Sequence, residues 1–237
     1  MQHDAHEFII SLLNSLLEEE QRQLHVAFGS EAPSAEKLAL SVSLCGSLKS
    51  VVKCQQCNTD FNCVDQTQIL SFGVAPPSKR AAALCTLDDC RRLYSAPEDL
   101  QDKEYACPVC RTRVNATKTL LIDVAPQLLI LTLKRFDFSS TRRAAAKIET
   151  YVDIPLENFE IPEYRESGNR PSIAIYDCVA ICNHIGKSSN SGHYTAHVRR
   201  GAAWYKCDDD SVTSTIPLPA NEIVTTHAYI LFYVRRK

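Results

Sequence analysis

The chain has 237 residues, a formal net charge of −2 from 26 basic and 28 acidic side chains, and 45% hydrophobic residues. That is enough for a sizeable core in one large or two small domains, and too balanced to give a global field for nucleic acid, membranes or strongly acidic partners. No apolar run approaches the ~20 residues of a membrane span, and no signal peptide opens the sequence. Eleven cysteines, including two C-x-x-C pairs, without a secretion signal argue for reduced thiols and a metal rather than disulfides. The expected compartment is the cytosol or nucleus.

From the amino end, Ile9, Ile10, Leu12, Leu13, Leu16 and Leu17, followed by Glu18-Glu19-Glu20, predict an amphipathic helix. Asp4 and Glu7 suit its positive end. His3 and His6, three apart, could hold a metal, and His6 with Glu7 could form a catalytic pair. Near a helix start, however, such residues more often serve the cap and dipole. Residues 22–44 carry Gly29, Pro33 and no clear period, and read as a loop.

A strand pattern follows from Leu48 to Gln68 and encloses Cys54-Gln55-Gln56-Cys57; Cys107-Pro108-Val109-Cys110 comes much later. Two thiolates on a tight turn can face one ion, and two such knuckles supply the four sulfurs of a closed, structural zinc site. The long gap means that this site ties together distant hairpins. Cys63, Cys85 and Cys90 are expected to be spectators, the last two packing beside a helix that Thr86 caps and Asp88 and Asp89 open. The run Leu128 to Leu133 reads as an interior strand, apolar on both faces, ending in Lys134-Arg135-Phe136. Arg135 is expected to be structural. Glu163 to Pro171 reads as a surface loop, Ile173 to Cys182 as another strand, and Lys187 to Gly192 as a polar loop.

The chemistry concentrates at Ser191-Gly192-His193-Tyr194 and Trp204-Tyr205-Lys206-Cys207-Asp208-Asp209-Asp210. Gly192 permits a tight or positive-φ approach that sets His193 at the lip of a strand. If the two segments are antiparallel neighbours, a carboxylate lands beside the His193 ring and frees its other nitrogen to act as a base. Residue types alone fit an exposed histidine and an acidic turn just as well. His184 reads as a strand-end histidine bonded to backbone, and His197 as a packed one.

Taken together, G-H-Y at 192–194, W-Y-x-x-D-D-x-x-V at 204–212 and A-Y-x-L-F-Y at 228–233 resemble the histidine box of the ubiquitin-specific proteases. Gln2-His3-Asp4-Ala5-His6-Glu7-Phe8 resembles that family's Q-x-D-A-x-E-F box, and residues 126–136 its P-x-x-L-x-I/L-x-L-K-R-F strand. The resemblance implies an α+β, papain-like cysteine protease fold. Its parts would be the end of a helical thumb (1–28), zinc-bearing fingers (45–118) and an antiparallel palm (119–237). It implies hydrolysis of the bond after the C-terminal glycine of ubiquitin, with His193 as general base, Asp208 orienting it and Asp209 assisting near the oxyanion. Asp4, Glu7, Gly192 and Tyr194 match substrate-contacting positions, and Cys54, Cys57, Cys107 and Cys110 match the zinc ligands. The family's nucleophile lies in an upstream G-N-T-C box that this sequence does not contain. The expectation is therefore a chain inactive alone, whose Met1 is an internal methionine and whose first helix is partly uncovered and poorly soluble. A non-catalytic ubiquitin-binding module is the alternative. A zinc-ribbon nucleic-acid binder is disfavoured, because no basic stripe with aromatics exists.

Overall fold

The computed structural model describes residues 4–31, 33–34, 38–74, 85–137, 146–165, 171–188, 191–214 and 220–237. In chain order, α1 (Ala5–Phe28), a 3-10 turn (Gly29–Glu31) and α2 (Ala39–Leu44) precede β1 (Gly46–Cys54), β2 (Asp60–Thr67), β3 (Ile69–Gly73) and β4 (Cys85–Thr86). Then come α3 (Leu87–Tyr94), β5 (Glu98–Cys107), β6 (Thr112–Val124), β7 (Leu128–Lys134), β8 (Phe136–Asp137), β9 (Ala146–Lys147) and β10 (Val152–Asp153). The chain finishes with β11 (Phe159–Glu163), β12 (Ser172–Ser188), β13 (Ser191–Arg200), β14 (Ala203–Asp208), β15 (Ser211–Ser214), α4 (Ala220–Ile223) and β16 (Ala228–Arg235).

Two sheets dominate. The larger has the order β15-β14-β13-β12-β16-β7-β3, with β11 added beside β12; the smaller has the order β2-β1-β6-β5. The larger sheet is not wholly antiparallel, because β3 runs parallel to β7. Strand periodicity sorts its side chains: Leu129, Leu131 and Leu133 join one apolar cluster with Phe72, Leu87, Ile161 and Tyr233, while Ile130 points to the other face. There it meets Leu13 of α1, Tyr229 and Ile230. The reading of residues 128–133 as an interior strand buried on both faces holds.

Asp4 caps α1 by accepting from the His6 amide at 2.7 Å. The helix continues through residues expected to be loop, until Gly29 adopts φ 57°. Residues 21–27 contain neither Gly nor Pro, and helix propensity carries them without a buried stripe. A second helix, α2, also occupies that stretch, while residues 32 and 35–37 lie outside the described residues. Phe8, Leu12 and Leu16 form an outer stripe on α1, 64%, 45% and 43% exposed, in line with the expected uncovered face.

Three further corrections concern polar segments. Glu163, expected to open a surface loop, is buried and accepts from Arg235 and from the Ala125 amide. Arg135 is structural, but its partners are the carbonyls of Ala228, Ile148 and Thr150 rather than an acid. The expected loop at 187–192 narrows to a hairpin, with Ser188 paired to Ser191. Its residues 189–190, like 166–170 of the other expected loop, lie outside the described residues, as do Met1 and His3.

Candidate active site

The hairpin β12–β13 places His193 opposite Ile185, and β14 runs antiparallel to β13 with Cys207 opposite Ala196. Asp208 ends β14 just beyond that pair, a diagonal step from His193 and within side-chain reach. His193 Nε2 lies 2.5 Å from Asp208 Oδ1. Asp209 follows at φ 48°, a left-handed position that Asp tolerates, and one of its carboxylate oxygens stays within 4.8 Å of the His193 and Asp208 donor atoms. Lys206 Nζ stands 3.7 Å from the other Asp208 oxygen. The hydrogen bond from His193 holds the Asp208 carboxyl below its ordinary range; in return Asp208, with Asp209 adding its charge, raises the His193 imidazole. With Nε2 engaged, Nδ1 is the nitrogen left for proton transfer. Sequence reasoning placed this pair correctly in space.

Of the two expectations for Gly192, a tight approach or a positive φ, the structure shows the first. Its φ is not positive. A Cβ there would instead stand 2.3 Å from His184 Nε2 and 2.8 Å from the Ile185 carbonyl. At Gly186 a Cβ would meet the Ser191 carbonyl at 2.6 Å. Both glycines exist because β12 and β13 close directly over the His184 ring. That ring is 2% exposed and stacked among Tyr194, Phe136 and Tyr229, at centroid distances of 5.0, 5.5 and 6.2 Å. Its Nδ1 has no hydrogen-bond partner among the described residues. Burial keeps it neutral by lowering its pKa. His184 is thus the floor beneath the hairpin that carries His193, a role that sequence reasoning missed. The spacing His-x-Gly before a second Gly was the only signal.

The same aromatic box fastens α1. The Tyr229 hydroxyl donates to both Asp4 oxygens at 3.0 Å, and the Ala5 amide reaches the Tyr194 hydroxyl at 3.4 Å. Asp4 is therefore engaged as cap and clamp, whereas Glu7, one turn on, is exposed. His6 pairs with the Thr132 hydroxyl at 2.8 Å. His197 packs as expected, 5% exposed and bonded through Nδ1 to Asn183. Among nearby thiols, burial pushes Cys182 up to about 11, far from a ready nucleophile. Cys207 alternates to the strand face opposite Asp208.

At the far end of the smaller sheet, Cys54, Cys57, Cys107 and Cys110 bring their sulfurs within 4.8 Å of one another. The Cys54–Cys110 and Cys57–Cys107 separations are 3.9 and 3.7 Å. A tetrahedron with metal–sulfur bonds of ~2.3 Å has edges of about 3.8 Å, and these two separations match it, as a zinc site would require. The two knuckles are copies of one bend. In each, the second cysteine's amide meets the first one's sulfur at 3.4 Å. The next residue, Asn58 or Arg111, turns at φ 58° or 54°. Its amide closes on the first cysteine's carbonyl at 2.9 Å. Hydrogen bonds from Thr59 draw the Cys57 thiol down to about 6, while burial and its sulfur neighbours push Cys110 up to about 12. Four thiols this close ionise together only around a cation.

Comparison with known proteins agrees with these features. Residues 1–233 match the family model described as ubiquitin carboxyl-terminal hydrolase. The whole chain aligns at 32% identity with ubiquitin carboxyl-terminal hydrolase 3 of Homo sapiens, covering 49% of that protein. A 155-residue stretch is 39% identical to ubiquitin carboxyl-terminal hydrolase 12 of Saccharomyces cerevisiae, covering 64% of this chain and 12% of that one. Among solved structures, the SAGA Ubp8/Sgf11/Sus1/Sgf73 DUB module bound to ubiquitin aldehyde is similar over 100% of this chain and 50% of that one. Its TM-score is 0.79 and its identity 26%. The same module carrying Ubp8(C146A) and bound to monoubiquitin gives a TM-score of 0.76 at 28% identity, covering 100% of this chain and 49% of that one. The chain thus spans about half the length of the human relative and of the two solved chains.

Proposed function

The chain belongs to the ubiquitin carboxyl-terminal hydrolase family, and on that premise we propose that it carries the base-bearing part of a thiol-dependent deubiquitinase. The substrate is an isopeptide or peptide bond after the C-terminal glycine of ubiquitin. The observation that carries this reading is the 2.5 Å contact between His193 Nε2 and Asp208 Oδ1, which leaves Nδ1 free at the lip of the sheet. In this reading Nδ1 accepts the proton of a cysteine thiol. The thiolate attacks the glycine carbonyl, and the imidazolium returns the proton to the leaving amine. Asp208 holds the ring and stabilises its charged form, and Asp209 adds negative charge on the same side. Glu7, Asp4, Gly192 and Tyr194 line the approach of the ubiquitin tail; similar structures described as bound to monoubiquitin and to ubiquitin aldehyde support ubiquitin as partner.

The larger sheet corresponds in this proposal to the palm, the smaller sheet to the fingers, and α1 to the end of the thumb. The four-cysteine cage holds a structural zinc ion, which leaves no open coordination position and takes no part in the reaction. The nucleophile of the family's G-N-T-C box is not in this sequence, so the segment alone is proposed to turn over no substrate. Two C-x-x-C knuckles gathered into one metal cage rather than into disulfides support a reducing compartment, cytosol or nucleus. No helix among the described residues is long and apolar enough to cross a membrane.

A ubiquitin probe with a C-terminal electrophile tests this reading. Joined to a segment bearing the thiol box, the chain labels covalently, and His193→Ala abolishes labelling while the fold persists. Labelling that survives His193→Ala overturns the assignment of the base. Binding of plain ubiquitin without labelling even in the joined protein selects the alternative, a non-catalytic ubiquitin-binding module. That reading draws its support from the absence of a suitable thiol beside His193 among the described residues.

A further inference from the structure

A second sulfur pair lies away from both sites already described. Cys85 in β4 and Cys90 in α3 stand with their sulfurs 3.6 Å apart, inside the larger apolar cluster. Their closeness is built into the backbone. Between them sits a reciprocal capping box, in which the Thr86 amide donates to Asp89 Oδ2 at 3.0 Å and the Asp89 amide to Thr86 Oγ1 at 3.1 Å. β4 is pinned from outside by parallel pairing of Cys85 with Val152. The chain between the sulfurs is therefore ordered before any bond joins them, and most of the entropy of closing that loop has already been lost on folding.

Arg135 is fully buried, and its Nη2 has no hydrogen-bond partner among the described residues. Burial depresses this guanidinium to about 10, and the two cysteines act in the opposite direction. The cysteines differ in access: Cys85 is 7% exposed and Cys90 is sealed.

We propose that Cys85 and Cys90 form a redox-modification site, in which hydroperoxide oxidises Cys85 and Cys90 resolves the product to an intrachain disulfide. The thiolate of Cys85 attacks one peroxide oxygen, the O–O bond breaks, and hydroxide departs, leaving a sulfenic acid. The thiolate of Cys90 attacks that sulfur, the S–S bond forms, and the second oxygen leaves as hydroxide. The two protons from the thiols complete two waters; the thiols are oxidised by two electrons and the peroxide is reduced by two. The sulfurs need to close from 3.6 Å to the ~2.05 Å of a disulfide, a small movement at the start of an eight-residue helix.

The whole zinc-loaded chain is exposed to hydrogen peroxide, quenched in acid, unfolded, alkylated and digested with trypsin. Cleavage after Arg80 and Arg91 releases residues 81–91 with both cysteines in one peptide. The expected result is loss of both alkylation sites from that peptide, recovered on reduction, before exposed Cys63 is consumed. Cys90→Ser should leave Cys85 as a sulfenic acid that a cyclic dione captures, whereas Cys85→Ser should leave Cys90 fully alkylatable. A peptide that stays doubly alkylated while Cys63 oxidises overturns the proposal. So does capture at Cys90 rather than Cys85, or pairing of either sulfur with a knuckle cysteine.

Discussion

The larger sheet is covered on both faces, by a wide apolar cluster on one and by α1 on the other. The smaller sheet ends in a cluster whose buried members are only Cys54, Cys107 and Val114, with Phe61 and Tyr105 packed alongside. Each fully buried Leu or Ile in the first contributes roughly 1.5–3 kcal/mol, so many residues share its stability. The second has too few such residues, and its stability is concentrated in one cage of sulfurs. One sheet should therefore fail gradually as side chains are trimmed, and the other all at once.

Removing the proposed zinc ion is the severest test of that contrast. A chelator, or Cys57→Ser, should abolish amide-exchange protection in β1, β2, β5 and β6 while β7, β12 and β16 keep theirs. Structural zinc in small fingers has an apparent binding free energy of roughly 10–16 kcal/mol. Protection that survives chelation in the smaller sheet would break the comparison. Next in size is Leu131→Ala, which should cost roughly 2–5 kcal/mol in denaturant unfolding. Zinc content at moderate denaturant should be unchanged. Gly192→Ala forces a methyl group into the His184 ring and should cost roughly 1–3 kcal/mol. It should also separate His193 from Asp208, and His184→Ala in the same chain should restore the pair.

Asp208→Asn tests the site rather than the scaffold. His193 titrates above its usual ~6.5 in the folded chain, because Asp208 favours the imidazolium. The variant should bring its NMR titration midpoint down. A raised folded pKa also means that the stabilising contact is fully present below the unfolded pKa and is lost as pH rises through the folded one. Proton acceptance by His193 should follow the reverse course, reaching full strength only above that raised value. The smallest effect belongs to Arg22→Ala on α1. Its pair with Glu19 is exposed and only three residues apart, so the melting temperature should not move measurably.

The features legible in sequence were those set by short-range spacing. The two C-x-x-C bends, the run 128–133, the capped helix after Thr86 and the glycine before His193 all declare themselves within a few residues. The helix over 21–28 was missed because its outward face is unpaired, so no apolar period marks it. Buried Glu163 was missed because its partner Arg235 lies at the other end of the sequence and only folding supplies the neutralising charge. The tight approach at Gly192 was legible but not what it meets: the obstacle is a ring on the facing strand, invisible without the register. The pairing of β3 with β7 depends on a connection through β4, α3, β5 and β6, which no local pattern reports.

The position of β16 has a consequence for how the molecule is made. The segment 228–235 is inserted between β12 and β7 rather than added at an edge, and its Tyr229 fastens the start of α1. A ribosome therefore delivers the keystone after nearly everything it joins. Until residue 235 has cleared the exit tunnel, β12 and β7 present unpaired edges to solvent, and the first helix lacks the clamp from Tyr229. A nascent chain in that state is an open template for strand pairing with its neighbours, and truncation before residue 228 would leave it so permanently.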